Sequence, residues 1–304
     1  MSTLRQINLQ EPFRALFYAP YYAALARDAY AAEGVTVRVL PGEVPSLAKD
    51  SVLGGAAHLA WGGPMRILLA HDADPACPLR NFGAAILGDP FLLVGREPRP
   101  GFTLRDLAGM TLGTVAEVPT PWWALQEDVR QAGVDPTTLS RVTDRSMAEN
   151  AAAVAEGRLD VAQLFEPLVS QMEMAGTGHV WHACAARGPT SYTTFYSTAA
   201  NIAEYAPEFM AMIRALATTQ RWFHAAGPAA IAATIRPYFP DLDAAVMERA
   251  IARYLELGIW TRTPHFPPEP FERLERHMLT AGAIRRAPGY TACVDDEIVR
   301  RALA

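Results

Sequence analysis

Apolar residues recur at two different periods along this chain, and the changes from one period to the other mark out its elements. Ile7 to Leu9 reads as a strand and Glu11 to Pro20 as a loop carrying Phe13, Phe17 and Tyr18. Tyr21 to Glu33 reads as a helix, because Tyr22, Leu25, Ala26, Ala29 and Tyr30 share one face, and Gly34 fits the left-handed position that ends it. Val35 to Leu40 then returns as a strand. Strand, helix and strand in this order form a βαβ unit, whose parallel strands need a crossover and whose ligands gather beyond the strands' carboxyl ends. Pro45 to Leu53 is expected as a short helix and Ala57 to Trp61 as a third strand. Gly62, Gly63 and Pro64 turn the chain into a helix from Met65 to Ala70, which brings Trp61 to the same rim as Tyr18.

Phe82 to Leu87 and Phe91 to Val94 are strand-like on either side of Gly88, Asp89 and Pro90, where the chain leaves a first lobe. Thr103 and Asp106 are spaced as a capping pair for a short helix before Gly109. In Met110 to Leu125 a buried strand breaks into a loop and opens a helix: Gly113 allows close backbone approach, and Thr120 before Pro121 is expected as an N-cap with proline at the first helical position. Unpaired N–H groups and the positive end of the helix dipole make such a start suitable for an anionic oxygen. Trp122 and Trp123 stand beside it. One of two adjacent helical residues normally points into the core, so the pair reads either as plain core or as one core indole and one ring that stacks on a ligand.

Ala124 to Ala132 continues that helix to Gly133, and Ser146 with Glu149 forms a capping box for a helix from Met147 to Glu156, closed by Gly157. Leu159 to Leu164 is a strand, Phe165 to Pro167 a turn and Leu168 to Ala175 a helix. Val180 to Ala185 is a strand, and Thr190 to Thr198 is an extended segment returning to the first lobe. Beyond Ala199 the pattern is helical over Ala206 to His224, Pro228 to Tyr238, Leu242 to Leu257, Phe271 to Ala281 and Tyr290 to Arg301. Gly55 to Ala60 and Gly157 to Ala162 echo one another, each following a helix, forming a strand and reaching a proline turn. The expected architecture is therefore α/β with two similar lobes: residues 1–89 and 194–304 with the C-terminal helices, and residues 90–193, joined by two crossings that act as a hinge around a cleft.

Composition narrows the classes of function. The 304 residues are 50% hydrophobic and 19% charged, enough for two cores, and a net charge of −5 without a basic stripe argues against a nucleic-acid partner. No apolar run reaches membrane-spanning length, and MSTLRQINL lacks the pattern of a secretory signal, so the chain as it stands reads as cytoplasmic. Cys77, Cys184 and Cys293 are too few and too widely spaced for a disulfide framework. His179, His182 and Cys184 resemble a metal cluster, yet on a strand His179 falls on the opposite face from His182 and Cys184, and no second ligand pair follows; no metal and no cofactor is expected. No G-x-S-x-G, C-x-x-C, H-E-x-x-H or P-loop pattern occurs, so no catalytic residue is assigned. Tyr18, Trp61, Gly63, Arg66, Asp89, Thr114, Thr120, Trp122, Trp123, Glu166 and Tyr192 converge at strand ends or crossings and form the expected ligand-binding set. In that set Tyr18, Trp61 and Trp122 stack on a ring, while Thr114, Thr120 and helix-start amides take its polar end. Asp89 and Glu166 read equally well as ordinary surface carboxylates, and for Arg66 an exposed surface arginine is the commoner outcome.

The segments FYAPYYAALARDAYAAEGVTVRVL, GGAAHLAWGGP, GDPFLLVGRE with TLRDLAGMTLGTV, EGRLDVAQLFEP, YLELGIW and ACVDDE resemble the NMT1/THI5-like, or SsuA/TauA-like, substrate-binding proteins of ABC transporters across nearly the whole chain. The resemblance implies the type II periplasmic-binding-protein fold, two α/β lobes closing on a small molecule, and a monomer that partners an ABC transporter permease. It implies ligands among sulfonates, nitrate and thiamine pyrimidines, and a periplasmic location if an export signal is missing from this sequence; the ligand expected here is an organic, ring-bearing or anionic molecule of the sulfonate, thiamine-pyrimidine or aromatic-acid class. An enzyme on the same scaffold, a THI5-like pyrimidine synthase or a desulfinase, is the alternative. Arg66 stands where the synthases carry their sacrificed histidine, SYTTFYST has none of their cysteines, and Phe13 to Pro20 lacks the desulfinase cysteine.

Overall fold

A computed structural model describes residues 5–42 and 47–304. Ten strands are seen among them: β1 (Ile7–Gln10), β2 (Val37–Leu40), β3 (Leu59–Gly62), β4 (Leu79–Ile86), β5 (Phe91–Gly95), β6 (Thr111–Gly113), β7 (Ser140–Val142), β8 (Val161–Phe165), β9 (His179–Ala183) and β10 (Thr193–Thr198). They form two five-stranded sheets of the same design, in the orders β2-β1-β3-β10-β4 and β7-β6-β8-β5-β9. The first three strands of each are parallel, with Leu9 opposite both Val39 and Leu59 in one and Leu112 opposite both Arg141 and Val161 in the other. The fourth strand of each sheet, β10 or β5, is antiparallel and is the strand the chain enters directly after crossing from the other lobe. The echo between Gly55 to Ala60 and Gly157 to Ala162 thus falls on β3 and β8, which hold equivalent places.

The helices follow the apolar spacing, with informative departures. Among them are α1 (Ala19–Ala26), α2 (Ala29–Ala32), α3 (Ala48–Leu53), α4 (Met65–Ala73), α5 (Thr120–Gln131), α6 (Met147–Ala155) and α7 (Leu168–Met174). The C-terminal set is α8 (Ala199–Glu204), α9 (Ala206–Ala226), α10 (Pro228–Ile235), α11 (Ala244–Glu256), α12 (Pro268–Thr280), α13 (Tyr290–Cys293) and α14 (Glu297–Leu303). The single helix expected from Tyr21 to Glu33 starts earlier and breaks at Asp28, which adopts the left-handed conformation at φ 53°. Residues 45 and 46 of the expected Pro45 to Leu53 helix lie outside the described residues; the remainder begins at Ala48. Thr120 is not the N-cap of α5: the helix starts one residue earlier, after Pro119, whose carbonyl accepts from the Trp122 and Trp123 amides. The Ser146–Glu149 capping box forms as expected.

Apolar packing runs without interruption from Ile7, Leu9 and Trp61 beside the first sheet to Leu164 and Val169 beside the second. A second cluster, with Phe266, Phe271, Leu274 and Met278, lies under α12, and a third, with Leu112, Leu125 and Val129, fills the outer half of the second lobe. The two crossings lie side by side: the Thr190 amide donates to the Leu87 carbonyl at 2.8 Å and the Tyr192 amide to that of Ile86 at 3.0 Å. All three cysteines are buried and unpaired, and among the described residues no helix is long and apolar enough to cross a membrane.

Candidate functional site

A cleft of about 510 Å³, its open mouth included, lies where the two lobes meet. Its walls come from the connections that leave the carboxyl ends of parallel strands, as the βα alternation demands. Phe13, Phe17 and Tyr18 follow β1; Gly63, Met65 and Arg66 follow β3; Val118, Thr120 and Pro121 follow β6; and Phe165 ends β8. Phe91 and the crossing residues Ser191 and Tyr192 complete it. The rings support one another edge to face across the junction: Phe17 lies 4.3 Å from Tyr18 and 5.3 Å from Phe165 between ring centres, and Phe165 lies 5.2 Å from Phe91. The Trp260 indole N–H donates to the Phe17 carbonyl at 2.8 Å and so fixes the loop that carries these rings.

The polar groups in this wall are few, and donors dominate among them. Arg66, half-buried in the first turn of α4, is the one cation among the described lining residues, and none of the described carboxylates pairs with it. The first turn of α5, with Thr120 and Pro121, faces the same space from the other lobe; the Trp122 and Trp123 amides there, like the Arg66 and Ile67 amides of α4, are taken by carbonyls of the preceding turn, so the two helix amino-termini that converge act through the positive ends of their dipoles. Ser191 is 1% exposed and its hydroxyl has no partner among the described residues. No Asp, Glu, His or Cys lies among the described lining residues. Burial pushes the Tyr18 and Tyr192 hydroxyls far above the usual tyrosine range, with Arg66 opposing this at Tyr18 and Arg187 at Tyr192, so both stay protonated donors.

Tyr18, Gly63, Arg66, Thr120 and Tyr192 of the expected set are therefore brought together at the cleft. The others are placed elsewhere. Trp61 is completely enclosed, stacked on Tyr21 at 5.0 Å with planes 7° apart, because its strand lies in the middle of the first sheet. Trp122 packs on the outer core of the second lobe with the Arg141 guanidinium 3.7 Å over its ring, and Trp123 packs on the α12 cluster of the first. Thr114 is buried, its hydroxyl donating to the Val142 carbonyl at 3.3 Å and accepting from Arg141. Asp89 is a hinge residue: it accepts from the Phe91 amide at 2.8 Å, from the Tyr192 hydroxyl at 2.6 Å and from Arg187. Glu166 is a junction residue, taking the Ser170 amide and hydroxyl at 2.9 Å each and Arg253 of α11 at 2.7 Å. Burial pushes its carboxyl up, against the pull of Arg253 and Ser170. Met65, Phe91, Val118 and Phe165 are lining residues outside the expected set, whereas Ser191 lies on the crossing that the extended segment Thr190 to Thr198 is expected to line.

Two lobes of this design around a cleft at their junction define the type II periplasmic-binding-protein fold. Residues 17–226 match the model of the family described as NMT1/THI5 like, and the chain belongs to that family. YtlA of Bacillus subtilis (strain 168), which carries only a provisional binding-protein name, is 25% identical over 301 residues, covering 98% of this chain and 90% of YtlA. Among solved structures, the periplasmic aliphatic sulphonate binding protein SsuA of Escherichia coli superposes with a TM-score of 0.78 at 14% identity, covering 97% of this chain and 99% of that one. A mutant of the desulfurization enzyme DSZB in complex with biphenyl-2-sulfinic acid superposes with a TM-score of 0.71 at 13% identity over 98% of both chains.

Proposed function

We propose that the protein is a solute-binding protein of the ABC-transporter type, whose cleft takes a ring-bearing organic anion and presents it to a permease. The observation that carries this reading is the unpaired Arg66 guanidinium, joined by two helix amino-termini and the orphan Ser191 hydroxyl, in a wall otherwise made of aromatic rings. Rings supply contact area for a flat or apolar body, and the donors orient one anionic end. Among the described lining residues no Asp, Glu, His or Cys stands beside the Ser191 and Thr120 hydroxyls to activate them, which supports binding rather than turnover.

The test is a thermal-shift screen against aryl and alkyl sulfonates, aromatic carboxylates, thiamine pyrimidines and nitrate, with mass spectrometry on each hit. A saturable shift with the compound recovered unchanged is expected, worth about 2.7 kcal/mol at a hundredfold excess over Kd. Conversion of the hit, or silence from every anion, overturns the reading. Arg66→Gln should weaken an anionic hit by about 1.5–3 kcal/mol, the range for a hydrogen bond to a charged group, while the ligand-free melting temperature stays put.

A further inference from the structure

A second cavity of about 650 Å³ with its mouth included, lined by none of the cleft residues, opens between α5 of the second lobe and α12 of the first. Its lining is rich in charge, and the useful question is which charges are already engaged. Glu127 accepts from Gln131 at 3.2 Å and faces Arg130 at 3.7 Å. Asp128 accepts from the Arg187 Nε at 2.9 Å, in an ion pair whose two side chains are 10% and 4% exposed. Both lining acids are therefore spoken for. What remains is a set of nitrogens. Among the described residues Arg276 has no partner; Arg273, whose Nη atoms are taken by the Arg187 carbonyl and by Glu269 at 3.3 Å, keeps a buried Nε without an acceptor; and His277, only 4% exposed, has an unpartnered Nδ1. The local field agrees: burial together with Arg187, Arg276 and Arg273 pushes the His277 ring down to about 3.

We propose that this cavity is a small-oxyanion site, distinct from the main cleft, in which Arg276, Arg273 and His277 of α12 hold the anion against α5 and so bridge the lobes. A phosphate, sulfate or carboxylate group supplies the acceptors that these nitrogens lack, and its charge offsets the excess of guanidinium. The site also touches the hinge. Arg187, which lines it, pairs with Asp89, and Asp89 accepts the hydroxyl of the cleft residue Tyr192 at 2.6 Å. The anion site does not depend on the cleft being the ligand site.

The experiment is a titration of the purified protein with inorganic phosphate, and separately with malonate, at constant ionic strength, followed by thermal shift and by the NMR ring resonances of His277. A saturable thermal shift with movement of the His277 signals is expected for at least one of the two anions, and which of them responds separates a tetrahedral from a planar oxyanion. Arg276→Gln, at an exposed position, should weaken that response at least about tenfold while the protein stays folded. Arg66→Gln should leave it intact. A shift that never saturates, one equal in wild type and Arg276→Gln, or one abolished by Arg66→Gln overturns the proposal, the last because the anion then occupies the main cleft. Failure here leaves the organic-ligand screen at the cleft unaffected.

Discussion

The His277 ring lies deep enough in the lobe junction that protonating it would put a further positive charge beside Arg187, Arg273 and Arg276. Its folded pKa is about 3, below the ordinary 6.5, so between those values the unfolded chain binds the extra proton. The stability that the neutral ring contributes is therefore complete above pH 6.5 and is lost as pH falls toward 3. Urea unfolding from pH 7 to pH 4 should show this as a declining midpoint, and His277→Gln should flatten the decline. No sequence pattern announces such a residue, since a histidine on an amphipathic helix face looks the same whether arginines or water surround it. Arg66 was legible for the opposite reason: its place after a Gly-Gly-Pro turn sets it in a first helical turn at a strand's carboxyl end, whatever packs around it. Trp61 shares that rim in sequence, yet its side chain is enclosed by rings that only the tertiary fold brings there.

At the scale of elements, signals written in local chemistry survived and those written in continuity did not. The capping box before α6 needs only Ser146 and Glu149 three residues apart; the Glu149 amide donates to the Ser146 hydroxyl at 3.2 Å, and the Ser146 amide to the Glu149 carboxylate at 2.7 Å. Ser146→Ala should cost about 1 kcal/mol in equilibrium unfolding with little change in the denaturant slope, because one helix-start amide loses its acceptor. The break between α1 and α2 was invisible, since Tyr22, Leu25, Ala29 and Tyr30 keep their helical spacing across the left-handed turn at Asp28. At α5 the threonine–proline pair marked the helix start to within a residue, but the carbonyl of Pro119 meets the first amides and leaves Thr120 free to face the cleft. The twin tryptophans that follow were the clearest sequence feature and serve packing on two sides of one helix, Trp122 within its own lobe and Trp123 against the other.

Across the whole molecule, the matching sheets place equivalent strand ends on the two faces of the cleft, and a charged seam on its flank holds those faces together. Arg253 of α11 reaches across to both Glu166 and Glu173, and Arg249 to Glu173 at 2.7 Å. Glu166 is fully buried, so removing its cation strands a carboxylate that only Ser170 still serves. Arg253→Met should therefore destabilise the protein by about 3–5 kcal/mol. Glu166→Gln in the same chain should recover a large part of that loss, because the stranded charge disappears with its partner. The cycle of single and double variants, measured by urea unfolding, separates this from lost packing: equal losses in Arg253→Met and in the double variant would make the arginine stem, not its charge, the contributor. The same pair of variants reports on closure. If the seam favours the closed arrangement, the double variant, repaired in stability but without the cross-lobe charge pair, opens more often in the absence of ligand. Its radius of gyration by small-angle X-ray scattering should then exceed that of the wild type, and the two should converge when a cleft ligand saturates both.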